Sequence, residues 1–209
     1  MIDELPFASP FVYATRGESE ASRKSRQLRH RIKRGDEPLY EQIAVHIRTL
    51  IERGDFPAWF GPEAILVPVP GHAPLAPGAR SNSERIARSL QHAGIAGRVE
   101  LALIRHQLVR KSAWADPEDR PRAAEHCASL RVDAPLALTA GPIVLVDDVI
   151  TRGATLLGAA QCILAAVPDA RVRGLALLRA MTNGDIETIR QPCTGQIRCD
   201  ARGECFREP

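Results

Sequence analysis

The chain has 209 residues, of which 44% are hydrophobic and 25% charged, close to the average for soluble globular proteins. This composition excludes wholesale disorder, and the lack of a Gly triplet period or a sustained heptad excludes collagen and coiled coils. A formal net charge of +3 and an aromatic fraction of 4% suit an anionic small molecule better than bases stacked on aromatic side chains.

The expected location follows from two further observations. No stretch approaches the roughly 18 apolar residues of a membrane span, and the acidic start of the chain lacks the order of charges typical of a signal peptide. We therefore expect a cytoplasmic protein with no membrane contact. Its five cysteines are then expected to be reduced thiols or metal ligands.

Residues 1–60 are predicted to be an N-terminal arm and an amphipathic helix, both part of one domain. The arm extends to about Gly17, and apolar residues at helical spacings lie between Leu39 and Ile51. Between them, Arg23 to Arg34 holds seven Lys or Arg in twelve residues. That run is interpreted as a solvated helical face, a rim that attracts an anion, or a nucleic-acid contact, and the sequence leaves all three open.

Residues 61–182 carry the pattern of an α/β core. The apolar run Ala64 to Pro68 predicts a strand, and Ser83 is expected to cap a helix that Gly94 ends. A second strand is predicted from Val99 to Ile104, and the polar stretch Arg105 to Leu130 shows no core pattern.

The second half of this core has the strongest signals. Ile143 to Val146 predicts a buried strand, Ala154 to Ala166 a helix, and Val172 to Leu178 another strand. A strand, a helix and a strand in that order imply a parallel sheet flanked by helices. The fold class is therefore α/β with a Rossmann-like parallel core.

The segment Val144 to Thr155 carries the chemistry. Asp147 and Asp148 come where a strand is expected to end, and a hydroxyl- and Gly-containing loop then opens a helix. The amides at a helix start suit a phosphate, Gly153 allows close backbone approach, and two carboxylates accept bonds from vicinal hydroxyls. The segment predicts a ribose 5-phosphate site, with the candidate substrate-binding residues Thr151, Arg152, Gly153, Ala154 and Thr155.

This segment resembles the phosphoribosyl-diphosphate (PRPP) binding loop of the type I phosphoribosyltransferases, except that Arg152 stands where many members have a Thr or a small residue. The resemblance implies that Asp147 and Asp148 hold the ribose. Val67 to His72 is similar to the family's diphosphate loop, which adds Gly71 and His72 as substrate-binding candidates. Arg80 to Arg88 looks like a segment of the competence-protein (ComF-like) branch, although the zinc-ribbon N-terminus of that branch is absent.

The family also implies a mobile lid between Arg105 and Leu130, with Lys111 as the expected catalytic contact to the diphosphate. For any single basic residue, a solvated loop remains the alternative. The basic candidates in this stretch, together with one histidine, are Arg105, Arg110, Lys111, Arg120, Arg122 and His126. A small hood over the acceptor is expected from the terminal segments, and dimerisation is common in the family.

The resemblance implies a Mg²⁺-dependent enzyme that transfers phosphoribosyl from PRPP to a small nitrogenous acceptor and releases diphosphate. Mg²⁺ is expected on the diphosphate, with no direct protein ligand and with Asp147 and Asp148 reaching it through water. A second hypothesis is a non-catalytic regulator that senses PRPP or a nucleotide and acts on nucleic acid. The basic run keeps that alternative open, although we do not expect a nucleic-acid partner.

Residues 183–209 are predicted to be a polar, Cys-containing tail. Cys193, Cys199 and Cys205 recur at equal spacing, which allows a zinc site completed by His126 or Cys127. Structural zinc sites usually use closer pairs, so ordinary thiols are the other interpretation. Cys162 lies in the helix after the loop and is expected in the core.

Overall fold

A computed structural model describes residues 2–76, 78–110, 120–133, 135–138, 141–182 and 184–209. A central sheet of seven strands lies between two layers of helices. The strands are β1 (Glu4–Ala14), β2 (Gly61–Pro68), β3 (Ala96–Val99), β6 (Ile143–Ile150), β7 (Val172–Met181), β8 (Arg190–Cys199) and β9 (Cys205–Glu208). Two short strands, β4 (Leu103–Arg105) and β5 (Leu130–Val132), form a separate ladder.

The strand order in the central sheet is β3-β2-β6-β7-β1-β8-β9. The first five of these strands are parallel; β8 then pairs antiparallel with β1, and β9 pairs antiparallel with β8. The carboxyl ends of β2, β6, β7 and β1 therefore meet at one edge, where parallel α/β sheets place their ligands. The structure confirms the predicted α/β class, with a mostly parallel central sheet.

Helices cover both faces of the sheet. On one face lie α1 (Glu20–Lys33), α2 (Glu37–Glu52) and α3 (Asn82–His92), and on the other lie α4 (Ala123–Ala128) and α5 (Ala154–Ala166). The aliphatic residues of β6 alternate between the two faces: Ile143 and Leu145 face α5, while Val144 and Val146 face α2 and α3. All four are fully buried, which explains the unbroken aliphatic run in the sequence.

Several boundaries differ from the predictions. Ser81, not Ser83, caps α3, because the Ser81 side chain accepts a hydrogen bond from the Glu84 amide. The strand expected over Val99 to Ile104 is two strands, β3 and β4, which belong to different sheets. Gly94 ends α3 with a positive φ, as predicted.

The terminal segments are the main correction. The N-terminal arm is strand β1, which lies inside the sheet between β7 and β8. The expected tail supplies β8 and β9, so the segments predicted to form a hood are strands of the central sheet. Pro6 and Pro10 lack an amide hydrogen, a feature typical of edge strands. The structure accommodates Pro10 where the register between β1 and β8 shifts, between Ser9 and Phe11.

Candidate functional site

The loop that joins β6 to α5 leaves an uncapped helix start. Gly153 is the N-cap of α5, has a φ of 96°, and provides no side-chain cap. In contrast, α1, α2 and α3 are capped by the side chains of Ser19, Asp36 and Ser81. The first intrahelical hydrogen bond of α5 runs from the Leu157 amide to the Gly153 carbonyl, at 2.9 Å. The preceding amides of the first turn point out of the helix as donors, which suits a phosphate.

Glycine is required at position 153 for two reasons. The positive φ is a conformation that L side chains rarely adopt. In addition, a Cβ atom there would lie 2.6 Å from a methyl carbon of Ile197, a fully buried residue of β8. The loop therefore packs closely against the C-terminal strands.

A basic side chain from β9 holds the loop from one side. Arg207 Nε donates to the Thr151 carbonyl at 2.7 Å, and Arg207 Nη2 donates to the Ala180 carbonyl at the end of β7. Because the peptide is trans, the amide that follows Thr151 points away from Arg207. Arg152 Nη1 lies 4.0 Å from the Glu204 carboxylate, near the turn before β9.

A shallow pocket opens on this loop. Its lining contains six of the predicted site residues: Asp147, Thr151, Arg152, Gly153, Ala154 and Thr155. Arg120 and Pro121 complete one wall. Among the described residues that line the pocket, Asp147 is the only acid, so one carboxylate faces a loop of donors.

Asp147 is electrostatically strained. Burial and the neighbouring Asp148 carboxylate raise its pKa well above the usual 3.8, and the charges of Lys33 and Arg105 offset only part of that shift. The Asp147 carboxylate accepts a hydrogen bond from the Asp148 amide at 2.8 Å. A ligand that donates hydrogen bonds to the Asp147 carboxylate would stabilise its ionised form.

Asp148 lies on the other face of the sheet. Successive residues of a strand point to opposite sides, so Asp148 faces the layer of α1 to α3, and its side chain is only 10% exposed. Its two oxygens lie 2.8 and 2.6 Å from Lys33 Nζ. The structure therefore does not bring the two predicted ribose acids together: Asp147 lines the pocket, and the buried Asp148 forms an ion pair with Lys33, whose side chain is partly exposed.

Lys33 affects the charge of Asp147 from outside the pocket, and sequence reasoning did not distinguish it from the rest of the basic run. It ends α1, and its carbonyl accepts from Asn82 Nδ2 at 3.0 Å, while the Tyr40 hydroxyl donates to the Ile32 carbonyl at 2.6 Å. These bonds fix the end of α1 beside β6. The basic run from Arg23 to Arg34 contained the residue, but only the fold reveals that its last turn faces an acid.

The loop after β2, which holds Gly71 and His72, is exposed and tied down by backbone contacts. Arg105 is 4% exposed and donates to the carbonyls of Pro70 and Gly71, and the Val109 amide donates to the His72 carbonyl at 2.8 Å. Gly71 and His72 do not line the pocket at Asp147; they lie after β2, the strand that pairs with β6. Arg105 thus holds the backbone of this loop.

His126 supports the first turn of α5. It is 4% exposed, and its Nε2 lies 3.4 Å from the Thr155 hydroxyl. Burial and the nearby Arg105 charge lower its pKa to about 4, so the ring is neutral at pH 7. The unprotonated nitrogen of a neutral imidazole can accept a hydrogen bond from the Thr155 hydroxyl and so orient it.

The predicted lid lies partly outside the described residues. Lys111, the expected catalytic contact, falls in the stretch 111–119, which the structure does not describe. Arg120, which follows it, lines the pocket. The prediction for Lys111 stays a prediction.

The cysteines differ from the expectation. Cys199 and Cys205 are directly opposite each other on β8 and β9 and form a disulfide, which corrects the expectation of thiols or metal ligands for this pair. Cys127 and Cys162 are free thiols in contact across α4 and α5. Within the described ranges, no group of three or more His, Cys, Asp or Glu side chains is arranged to hold a metal ion.

No helix in the described part of the chain is long and apolar enough to cross a membrane. A comparison with models of protein families finds no match to this sequence. A comparison with curated proteins finds no significant match either.

Proposed function

We propose that the chain is a phosphoribosyltransferase that binds PRPP and transfers its phosphoribosyl group to a nitrogenous acceptor, with release of diphosphate. The observation that carries the proposal is the uncapped start of α5 beside the Asp147 carboxylate, in one pocket. Donors for a phosphate and an acceptor for a hydroxyl lie together there, as a ribose 5-phosphate requires. The resemblance of residues 144–155 to the PRPP loop supports the same assignment.

The residues present fit a magnesium ion held mainly by the substrate. Mg²⁺ keeps several waters and is commonly bound through substrate phosphates plus one or two carboxylates. Asp147 offers one such carboxylate at the pocket, able to reach the ion through water; burial and the Asp148 charge raise its pKa, so a nearby cation would stabilise its ionised form. When bound, Mg²⁺ supplies charge neutralisation at the departing diphosphate.

The chain's own residues bind and orient the substrate. The first amides of α5 and the Thr155 hydroxyl hold the 5-phosphate, and His126 fixes the orientation of that hydroxyl. Asp147 accepts from a ribose hydroxyl, which places the anomeric carbon toward the acceptor. Rate enhancement then comes from alignment of the acceptor nitrogen with the breaking bond, and no protein nucleophile is needed.

The Lys33–Asp148 ion pair changes the role expected for the second acid. Asp148 does not reach the pocket, so the proposed ribose contact rests on Asp147. Asp148 and Lys33 instead act from behind the strand: the acid raises the pKa of Asp147 and the lysine lowers it.

The test is calorimetric titration of PRPP with Mg²⁺ into the wild type and two variants. Asp147→Asn should weaken PRPP binding several-fold, since Asn keeps an acceptor oxygen but loses the charge, and a hydrogen bond to a charged group contributes about 1 kcal/mol more than a neutral one. Asp169→Asn removes an exposed acid after α5 and should bind PRPP like the wild type. Equal affinity of Asp147→Asn and wild type would contradict the site assignment.

Catalysis is tested by following diphosphate release with a panel of purines, pyrimidines and small amides. The proposal expects release that requires both Mg²⁺ and one of these acceptors. PRPP binding without release from any acceptor would support the non-catalytic sensor instead.

A further inference from the structure

Two arginines lie close together at the far side of the loop, outside the pocket described above. Arg179 is on β7, directly beside Ile150 of β6, and is only 7% exposed. Arg207 reaches the same place from β9, where it contacts the loop at the Thr151 carbonyl. Arg207 also donates to the carbonyl of Ala180, the residue that follows Arg179 on β7. Burial, together with the Arg179 charge, lowers the pKa of Arg207 to about 10.

Among the described residues, the N–H donors of these two guanidinium groups have few acceptors. Within the part of the chain that the structure describes, Arg179 Nε is buried without a hydrogen-bond partner, and Arg179 Nη1 contacts the Met181 sulfur at 3.6 Å. Arg207 donates to two backbone carbonyls, which carry no charge. Among the described residues, no carboxylate pairs with either arginine. Each guanidinium has five N–H donors, so the pair has donors to spare.

A buried charge without a counter-charge is costly, and two of like sign are more so. The Cys193 thiol of β8 is an ionisable group close enough to interact with both charges. Burial raises its pKa, although both arginines act in the opposite direction. Cys193 therefore stays a neutral thiol at pH 7 and does not supply the missing negative charge.

We propose that Arg179 and Arg207 form a second oxyanion subsite, which takes a carboxylate or phosphate group of a ligand. The planar guanidinium donors match the oxygens of either group. The Thr151 carbonyl faces Arg207, so the following amide points to the opposite side, and the subsite is separate from the donors of α5. The arginines can bind an oxyanion whether or not the proposed function is correct. The assignment of that oxyanion to the acceptor substrate rests on the proposed function.

The probes are inorganic phosphate and acetate, titrated calorimetrically into the full chain in a buffer free of other oxyanions. The wild type should bind phosphate at two sites, one at α5 and one at the arginines. Arg179→Met should lose one site or weaken it at least tenfold, while Thr155→Val should weaken the other. Tighter binding of acetate than of phosphate at the arginine site would assign it to carboxylates, and the reverse would assign it to phosphates.

Arg131→Met is the matched control, because it removes the same charge from an exposed position on β5 and should leave both sites intact. The thermal midpoint separates a binding role from a structural one. With no oxyanion present, Arg179→Met should unfold at a higher temperature than the wild type, because a buried unpaired charge is gone. A lower midpoint together with two intact phosphate sites would overturn the proposal.

Cys193 gives a readout that does not depend on a variant. An oxyanion between the arginines cancels their attraction for the thiolate, so phosphate should slow alkylation of Cys193 by iodoacetamide several-fold, as measured by mass spectrometry of its peptide. Alkylation of Cys127 is the internal reference. An unchanged rate at saturating phosphate would count against the subsite. Failure of PRPP to bind while this protection persists would refute the proposed function alone.

Discussion

Asp147 and Asp148 are neighbours in the chain with different surroundings, and the pKa of Asp147 is the strongly raised one. Asp148 has Lys33 within 2.8 Å, whereas Asp147 is affected by the charges of Lys33 and Arg105 only enough to offset part of the rise in its pKa. Acids with perturbed pKa values concentrate at functional sites, because a bound ligand supplies the stabilising interactions that the free protein lacks. Strand alternation separates the roles of the two residues.

The raised pKa of Asp147 predicts how the stability of Asp147→Asn, relative to the wild type, depends on pH. The folded pKa of Asp147 lies above its unfolded value near 3.8, so the wild type loses stability as the pH rises through the folded pKa. Asn does not ionise and its oxygen still accepts from the Asp148 amide. The variant should therefore match the wild type near pH 4 and have an increasingly higher midpoint as the pH rises, until the difference levels off above the folded pKa.

Thermal unfolding followed by circular dichroism from pH 4 to 9 measures this difference. Asp169→Asn, at an exposed position, should show no pH-dependent gain. A wild type that is more stable than Asp147→Asn at pH 8 would show that the ionised carboxylate has a strong partner inside the protein.

At the scale of elements, the start of α5 depends on the C-terminal strands. Gly153 packs against Ile197 of β8, and Arg207 of β9 donates to the Thr151 carbonyl, two residues before Gly153. The proposed phosphate loop is local in sequence, yet its geometry depends on Ile197 and Arg207, about fifty positions later. Preorganisation of this kind is what a phosphate loop needs.

Gly153→Ala tests that dependence, with Gly94→Ala as its match. Both glycines have positive φ, but a Cβ at Gly94 would meet nothing within 4 Å, whereas one at Gly153 would meet Ile197 at 2.6 Å. Gly94→Ala should cost about 1 kcal/mol of unfolding free energy, from backbone conformation alone. Gly153→Ala should cost clearly more, and it alone should weaken phosphate binding.

Urea unfolding and phosphate titration of the two variants give both quantities. Equal losses of stability would mean that the loop moves away from Ile197 at little cost, and the packing argument for this element would fail.

The same element shows what sequence reasoning could reach. The bounds of α5, Ala154–Ala166, match the prediction, because an apolar helix after a glycine has a clear start and a proline follows its end. The cap of α3 was placed two residues late, since Ser81 and Ser83 are equivalent candidates until the backbone is known. Lys33 and Arg207 reach the site only through long-range packing, which local patterns do not encode.

For the whole molecule, the least predictable feature was the position of the chain ends. β1 contains two prolines and comes first in the sequence, so it resembles an edge strand or an arm. The structure places it between β7 and β8, paired with β7 from Phe7 to Ala14. Which strands become neighbours depends on how all the helices pack, and no local signal carries that information.

Amide hydrogen exchange measures this placement directly. Interior strands open only with global unfolding, whereas edges exchange through small local openings. We therefore expect the amides of β1 from Phe7 to Val12 to be among the slowest in the protein, comparable with those of β6, and the amides of β9 to exchange much faster. The disulfide between Cys199 and Cys205 ties β9 to β8 but leaves its outer edge open to solvent. If β1 exchanged as fast as β9, the N-terminal segment would be a detachable arm, and the sheet would end at β7.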